Sequence, residues 1–233
     1  MPDKESSNRA TEIVQSYLSA VRAEQSNAEP LSMDVDIDAN IPKLRKHGRL
    51  HALRHITRLG QIFYHSPHYE GDNTVKKEII GRYLQAELQA QSGLGATVAI
   101  TPDNYKFKFV READYVGTPA YVLELTPKAK RVGLFQGELW LDQKTYLPLR
   151  EWGVLVKTPS VFLKSVYFVR DYCIYDGRSI PRRLISDVDT RLVGRAEMTI
   201  WYDHYKVGEQ GMTAESSFPE AAQAGAADGG VRH

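Results

Sequence analysis

Five histidines lie close together in the sequence and are the first candidates for metal chemistry: His47, His51, His55, His65 and His68. His51 and His55 have the H-x-x-x-H spacing that can chelate zinc from a helix, but Ala52 stands where a metalloprotease motif needs Glu. The arginines in the same stretch would repel a cation. We therefore predict exposed histidines on a basic strand pair and no metal site, and a His-dependent metal enzyme is the least favoured function.

A run of aspartates, "DVDID" at residues 34–38, resembles the start of a calcium-binding loop. An EF-hand would need Gly at position 39 and Glu at position 45, where this chain has Ala39 and Arg45. The alternation of these aspartates with apolar residues indicates instead a strand with one acidic, solvated face.

The remaining reactive residue types do not form a catalytic pattern. "SGLGATVA" contains G-x-G, but it follows a predicted helix, which is the reverse of a dinucleotide-binding turn. No G-x-S-x-G elbow is present. Cys173, the only cysteine, lies within a strand pattern, where a buried inert thiol is usual. We therefore predict no catalytic residue and no cofactor, and a binding protein rather than an enzyme.

Composition narrows the class of binding protein. Hydrophobic residues make up 42% of the 233 residues, which supports a folded core. Lys and Arg number 30 against 29 Asp and Glu, so the chain has no electrostatic footprint for nucleic acid. No apolar run reaches the roughly 18 residues of a transmembrane helix. "MPDKESSNRA" has no apolar signal region, so we expect either a cytoplasmic protein or an exported one whose leader has been removed.

The elements that must position any site are two helices and many strands. Apolar spacing predicts helices at 9–26 and 73–91, the second capped by Asp72, and alternation predicts a strand at 31–41. Two strands are expected around Gly60, although 50–58 could be helical. Further strands are predicted at 97–101, 105–112, 119–127, 133–142, 146–157, 161–175, 180–192 and 194–206. Short connections indicate an antiparallel meander in one domain, residues 1–207, followed by a flexible tail, residues 208–233.

The hairpin "GELWLDQKTYLPLREW" at 137–152 has apolar side chains on both faces. Leu139 and Leu141 alternate with Trp140, and Leu147 and Leu149 continue the same face after the turn. A curved sheet with helices in its concavity would bury the leucine face and could leave an apolar pocket between sheet and helices. The tryptophans would then lie on the convex side or under a loop.

The order of elements and two motifs resemble the superfamily of the outer-membrane lipoprotein carrier LolA. The hairpin above is similar to its "l-W-l-D-x-k-T-x-l-P" stretch, and "VYFVRDYCIYDGRSIPRRL" at 166–184 resembles its following "D-G…I-P" hairpin. The resemblance covers residues 9–206. It implies an α+β fold, namely an unclosed, strongly curved antiparallel half-barrel with helices covering the concave face. It also implies a periplasmic or otherwise exported location.

From this resemblance we expect non-enzymatic binding or transport of a lipid or an acylated lipoprotein. Because Glu124 is least able to be buried unpaired, the Leu123 face should point inward, and the same reasoning applies to the other strands. The predicted cavity residues are Phe107, Phe109, Tyr121, Leu123, Leu125, Leu139, Leu141, Leu147, Leu149, Val166, Phe168, Met198 and Ile200. Alternatively, the leucines are ordinary core beneath the helices, and the protein is an envelope sensor or scaffold that binds a protein partner.

Overall fold

The computed structural model describes residues 2–90, 95–191 and 194–208 of the chain. Its helical elements are α1 (Pro2–Ser26), a 3-10 turn (Pro42–Leu44), α2 (Asn73–Val75), a π-helical stretch (Lys76–Gly81), α3 (Arg82–Ala90) and α4 (Gly95–Val98). Its strands are β1 (Leu31–Ile41), β2 (Lys46–Ile56), β3 (Ile62–Gly71), β4 (Tyr105–Tyr115), β5 (Thr118–Pro127), β6 (Phe135–Asp142), β7 (Pro148–Leu155), β8 (Leu163–Tyr175), β9 (Arg178–Thr190) and β10 (Arg195–Val207). Apart from Gly208, the predicted tail lies outside the described residues.

The strands form one ten-stranded sheet in the order β3-β2-β1-β10-β9-β8-β7-β6-β5-β4. Every neighbouring pair is antiparallel, and β3 and β4 are the two free edges. The predicted fold class, an unclosed curved half-barrel with helices, is confirmed. The first three strands join the meander through the pairing of β1 with β10. The first and the last strand of the chain are therefore neighbours inside the sheet.

Charge complementarity explains how β1 and β2 pair. Asp36 lies opposite His51 in the register, and Asp38 lies opposite Arg49. His51 Nδ1 is 2.9 Å from Asp36 Oδ1, and Arg49 Nε donates to Asp38 Oδ2 at 2.9 Å. The outer faces of this strand pair are therefore matched in charge. The aspartate run of β1 lies opposite the basic, histidine-rich run of β2.

The helices cover the other face of the sheet. From α1, Ile13, Val14 and Tyr17 enter the core, and from the second helical segment (residues 73–90) Val75, Ile80 and Leu84 do so. Asp72 begins this segment as predicted, because its Oδ1 accepts from Thr74 N at 2.8 Å and from Val75 N at 3.2 Å. Among the described residues, no helix has the length and apolar character needed to cross a membrane.

The strand predicted at 97–101 is wrong. Helix α4 occupies its start, and bends and turns follow up to the beginning of β4. The backbone carbonyls here are used by side chains rather than by a neighbouring strand: Asn104 Nδ2 donates to Ala99 O at 2.9 Å and Arg131 Nη1 to Thr97 O at 2.9 Å. This segment therefore packs as a connection that contacts the loop between β5 and β6.

Candidate functional site

The predicted cavity residues differ in how much surface they keep. Leu123, Leu125, Leu139, Leu141 and Ile200 are fully enclosed in the core under the helices, and Phe168 and Met198 are nearly so. Phe107, Phe109 and Tyr121 pack against this core but stay partly exposed. Val166 is half-buried, whereas Leu147 and Leu149 are buried outside the main core cluster. The structure thus places most of the predicted set on one concave surface that is closed in its centre.

The first turns of α1 contact the partly exposed aromatic residues near the β4 edge. The Arg9 guanidinium lies 4.4 Å from the centre of the Phe109 ring and 5.8 Å from that of Tyr121, and it forms an ion pair with Glu112. Tyr121 in turn stacks on Tyr146 at a centroid distance of 5.9 Å. A cation–π contact and an exposed ion pair are each weak interactions, so Arg9 adds little to the packing of α1 on the sheet.

The middle of the concave face carries a polar cluster that the sequence reasoning missed. Arg170 Nη1 donates to Glu151 Oε2 at 3.0 Å, and Tyr172 Oη donates to Glu151 Oε1 at 3.0 Å. We call Glu151, Arg170 and Tyr172 the polar seam. The Glu151 side chain is 9% exposed, whereas that of Arg170 is 42% exposed although it lies on the helix-covered face. Tyr172 raises the pKa of the Arg170 guanidinium, burial opposes this, and with Glu151 the net pKa is well above its ordinary value.

A second polar cluster lies beside the seam and joins α3 to the sheet. Arg54 of β2 is 6% exposed, and its Nη2 donates to Glu87 Oε1 at 2.9 Å. Tyr64 of β3 donates to the other oxygen of the same carboxylate. The hydroxyl groups of Tyr83 and Tyr202 lie 3.4 Å apart between this cluster and the seam. Burial lowers the pKa of Arg54, but Glu87 together with the nearby tyrosine hydroxyl groups outweighs it, so the net pKa is raised and Arg54 stays charged in the interior.

A sequence signal for the seam existed in the strand parity. Glu151 shares the odd-numbered parity of Leu147 and Leu149, which we assigned to the inner face. Arg170 likewise shares the parity of Val166 and Phe168. Applying the alternation consistently would have placed one acid and one base inside, and two opposite charges on neighbouring strands of a buried face are expected to pair.

The tryptophans of the 137–152 hairpin lie on the convex face and share one carboxylate. Trp140 Nε1 and Trp152 Nε1 donate to Glu138 Oε2 at 2.9 and 3.0 Å. Arg111 contributes two further hydrogen bonds to Glu138, at 3.2 and 3.4 Å. Burial acts to raise the pKa of Glu138, but these donors outweigh it and the net pKa lies below its ordinary value. The second apolar face of the hairpin is thus a half-buried aromatic layer around an anion.

Two open depressions are present on the described surface. A cleft of about 520 Å³ lies between the end of α1 and the turns after β6 and β8, where Ala20, Ala23, Leu147 and Arg178 line it. Glu24 in this cleft accepts from Ser179 N at 2.9 Å, and burial raises its pKa. The second, a groove of about 380 Å³ on the convex face, is lined by residues that include Asp36, His51, His68 and Trp201. No group of three or more His, Cys, Asp or Glu that could hold a metal occurs in the described ranges.

The chain is similar in fold to solved structures, while no family model and no curated protein matches it. A DUF1329 family protein from Desulfovibrio piger is 13% identical, with a TM-score of 0.39, and the match covers 89% of this chain and 95% of that one. A LolA superfamily protein from Nitrosomonas europaea is 15% identical, with a TM-score of 0.37 and coverages of 85% and 94%. A domain of an outer membrane lipoprotein-sorting protein, described as putative, from Vibrio parahaemolyticus is 9% identical, with a TM-score of 0.42 and coverages of 86% and 93%. One of these neighbours carries the name of the superfamily that the sequence motifs resemble.

Proposed function

We propose that this chain binds a lipid, or the acyl chains of a lipoprotein, between its concave sheet face and its helices, without any chemistry. The observation that carries the proposal is that the helices leave part of this face accessible. Phe107, Phe109 and Tyr121 keep exposed surface at one end, and Arg170 keeps 42% of its side-chain surface in the middle. A face that is largely apolar, covered and incompletely filled is the usual form of a site for an amphiphile.

Burial of an acyl chain supplies enough free energy for this site to work. At about 0.8 kcal/mol per CH₂, a chain of 16 carbons contributes roughly 12 kcal/mol before any cost. The cost is the displacement of helical contacts, which is smallest beside the cleft of about 520 Å³ at the end of α1. A volume of this size lies within the range of small-ligand sites.

The fully enclosed members of the predicted set would take part only after the helices move. Leu123, Leu139 and Ile200 have no accessible surface while α1 and the second helical segment lie on them. In the proposed loaded state the acyl chain replaces part of the helix contacts, so these side chains exchange one apolar neighbour for another. Their role as cavity walls thus remains a prediction about that state. An envelope location belongs to the same proposal and follows from the sequence resemblance.

The test is binding of a fluorescent fatty acid to the full chain and to two variants of strand β4. Phe107→Asp places a charge on the partly exposed concave surface, and we expect at least a tenfold loss of affinity with the fold retained. Val110→Asp is the matched control, because Val110 is on the same strand and 42% exposed, and it should bind as the wild type does. Equal binding by both variants, or no binding by the wild type, would refute the proposal.

A second candidate function is the binding of a protein partner on the convex face, as expected of an envelope sensor or scaffold. Trp201, at 44% exposure, borders the convex groove, and exposed Val154 and Tyr167 lie on the same side of the sheet. Exposed apolar side chains of this kind are common at interaction sites. Native mass spectrometry that finds no co-purified lipid, with cross-linking in cells that Trp201→Ala abolishes, would favour this function over the first.

A further inference from the structure

We propose that the polar seam holds the anionic head, a carboxylate or a phosphate, of a single-chain amphiphile whose tail lies along the concave face. The inference rests on the proposed function and adds the chemical class of the ligand. The seam is placed for this role because Glu151 and Arg170 are paired across β7 and β8, which are inner strands of the sheet. It therefore lies in the middle of the concave face.

Arg170 has unused hydrogen-bonding capacity. Its Nη1 serves both polar neighbours, donating to Glu151 Oε2 at 3.0 Å and lying 3.4 Å from Tyr172 Oη. Its Nε and Nη2 have no hydrogen-bond partner in the ranges the structure describes, and neither is a buried unsatisfied atom. The edge of the guanidinium that carries Nε and Nη2 thus faces accessible space, and this is the edge that grips a carboxylate or phosphate with two parallel hydrogen bonds.

The guanidinium edge of Arg170 that carries Nε and Nη2 lies beside apolar side chains. The Arg170 guanidinium lies 5.6 Å from the centre of the Phe168 ring, which packs edge-on against Phe135 at 4.9 Å. Partly buried Leu155 and Val188 belong to the same core surface. A charge-assisted hydrogen bond is stronger in an apolar environment than in water. An apolar wall next to it suits a ligand with a charged head and an apolar tail.

Glu151 already neutralises Arg170, so the seam as a whole is not strongly positive, and an incoming anion competes with Glu151 for the guanidinium. Because of this competition, removing the Glu151 charge should strengthen the binding of an anion. If the ion pair were purely structural, removing the Glu151 charge would instead weaken the site.

The experiment measures the affinity of the full chain for three ligands with the same tail at pH 8: hexadecanoic acid, its methyl ester and hexadecyl phosphate. Displacement of a fluorescent apolar probe gives each affinity. The wild type should prefer both anions over the ester by about ten- to a hundredfold, since two hydrogen bonds to a charged group are at stake. Arg170→Met should remove this preference, so that the two anions and the ester bind with similar affinity.

Two further variants make the result decisive. Arg195→Met, a 55% exposed arginine of the convex face, should keep the full preference. Glu151→Gln should increase the preference at least threefold, and it tests the seam even if Arg170→Met fails to fold, which a circular-dichroism melt will show. A wild type that binds acid and ester equally overturns the head-group assignment but leaves the proposed function standing. A wild type that binds none of the three ligands overturns both.

A last arm separates an amphiphile from a free anion. Inorganic phosphate at millimolar concentration, with ionic strength held constant by chloride, should not displace the probe and should not protect the protein in a thermal melt. If phosphate alone stabilises the wild type and not Arg170→Met, the seam is a small-anion site and the amphiphile assignment is wrong.

Discussion

Two ion pairs lie side by side across β7 and β8 and point to opposite faces of the sheet. Arg150 is opposite Asp171 on the convex face, and Glu151 is opposite Arg170 on the concave face. In both pairs the acid is buried, with 4% of the Asp171 side chain and 9% of the Glu151 side chain exposed. The two pairs thus have the same chemistry and the same burial of the anion, and they differ in what surrounds them.

Both oxygens of the convex acid accept hydrogen bonds, although Arg150 Nε is buried without a hydrogen-bond partner among the described residues, whereas the arginine of the concave pair keeps accessible donors. Asp171 Oδ2 accepts from Arg183 Nε at 3.0 Å and Nη2 at 2.7 Å, while Oδ1 accepts from Tyr115 Oη at 2.8 Å. Arg170 offers a single nitrogen to Glu151 and leaves its other donors toward accessible space. The convex cluster thus holds neighbouring strands together, whereas the concave cluster keeps hydrogen-bonding capacity for the proposed ligand.

The largest effect is expected from a charge placed in the enclosed part of the concave face. Leu123→Glu should unfold the protein, at a cost of more than about 4 kcal/mol, because Leu123 has no accessible surface and no room for water at the new carboxylate. The adjacent Glu124→Leu, on the convex face, is the control and should stay folded. Urea denaturation measures both. A folded Leu123→Glu protein that has lost lipid binding would reveal room behind this face.

A smaller loss is expected when the two buried acids are converted to their amides. Asp171→Asn should lower the free energy of unfolding by about 2–3 kcal/mol, because the two hydrogen bonds from Arg183 to Oδ2 lose their charged acceptor. Glu151→Gln should lower it by only about 1 kcal/mol. The same urea titration compares them. If Glu151→Gln costs as much as Asp171→Asn, the concave pair is as structural as the convex one.

Alkaline pH should affect the convex cluster through Tyr115. Burial, together with the hydrogen bond to Asp171, raises the pKa of Tyr115 to about 12. Because the folded-state pKa is above that of an unfolded tyrosine near 10, the stabilisation from Tyr115 is complete below about pH 10 and is lost as the pH rises toward about 12. Melting temperatures of the wild type and Tyr115→Phe should therefore converge over that window. A difference that is constant with pH would contradict this.

The smallest effect on stability is expected on the convex face of β1 and β2, where the ion pairs are exposed to solvent. The side chains of Asp36 and His51 are 60% and 55% exposed, so Asp36→Asn should change stability by no more than about 0.5 kcal/mol, and less at high salt. Thermal melts at low and high ionic strength check this. A loss comparable to that of Asp171→Asn would show that these strands depend on their outer charges.

Local patterns in the sequence determined most of the sheet. Alternation located β1 and β5, and the Asp142 turn follows from chemistry within a few residues, since Asp142 Oδ1 accepts from Lys144 N at 2.8 Å and Thr145 N at 2.6 Å. These signals are readable because a strand with one buried face repeats every two residues. Where a neighbouring element changes the local preference, as at 97–101, the same pattern misled.

Only the tertiary structure decided which charges meet inside the sheet and how far the helices close it. Parity places Glu151 and Arg170 on the inner face, but their contact depends on the register between β7 and β8, which short-range sequence does not specify. Likewise, alternation selects Phe107 and Leu123 equally, yet one keeps accessible surface and the other has none, because α1 and the second helical segment cover only part of the concave face. Burial is a property of what packs on a face, and those partners come from distant parts of the chain.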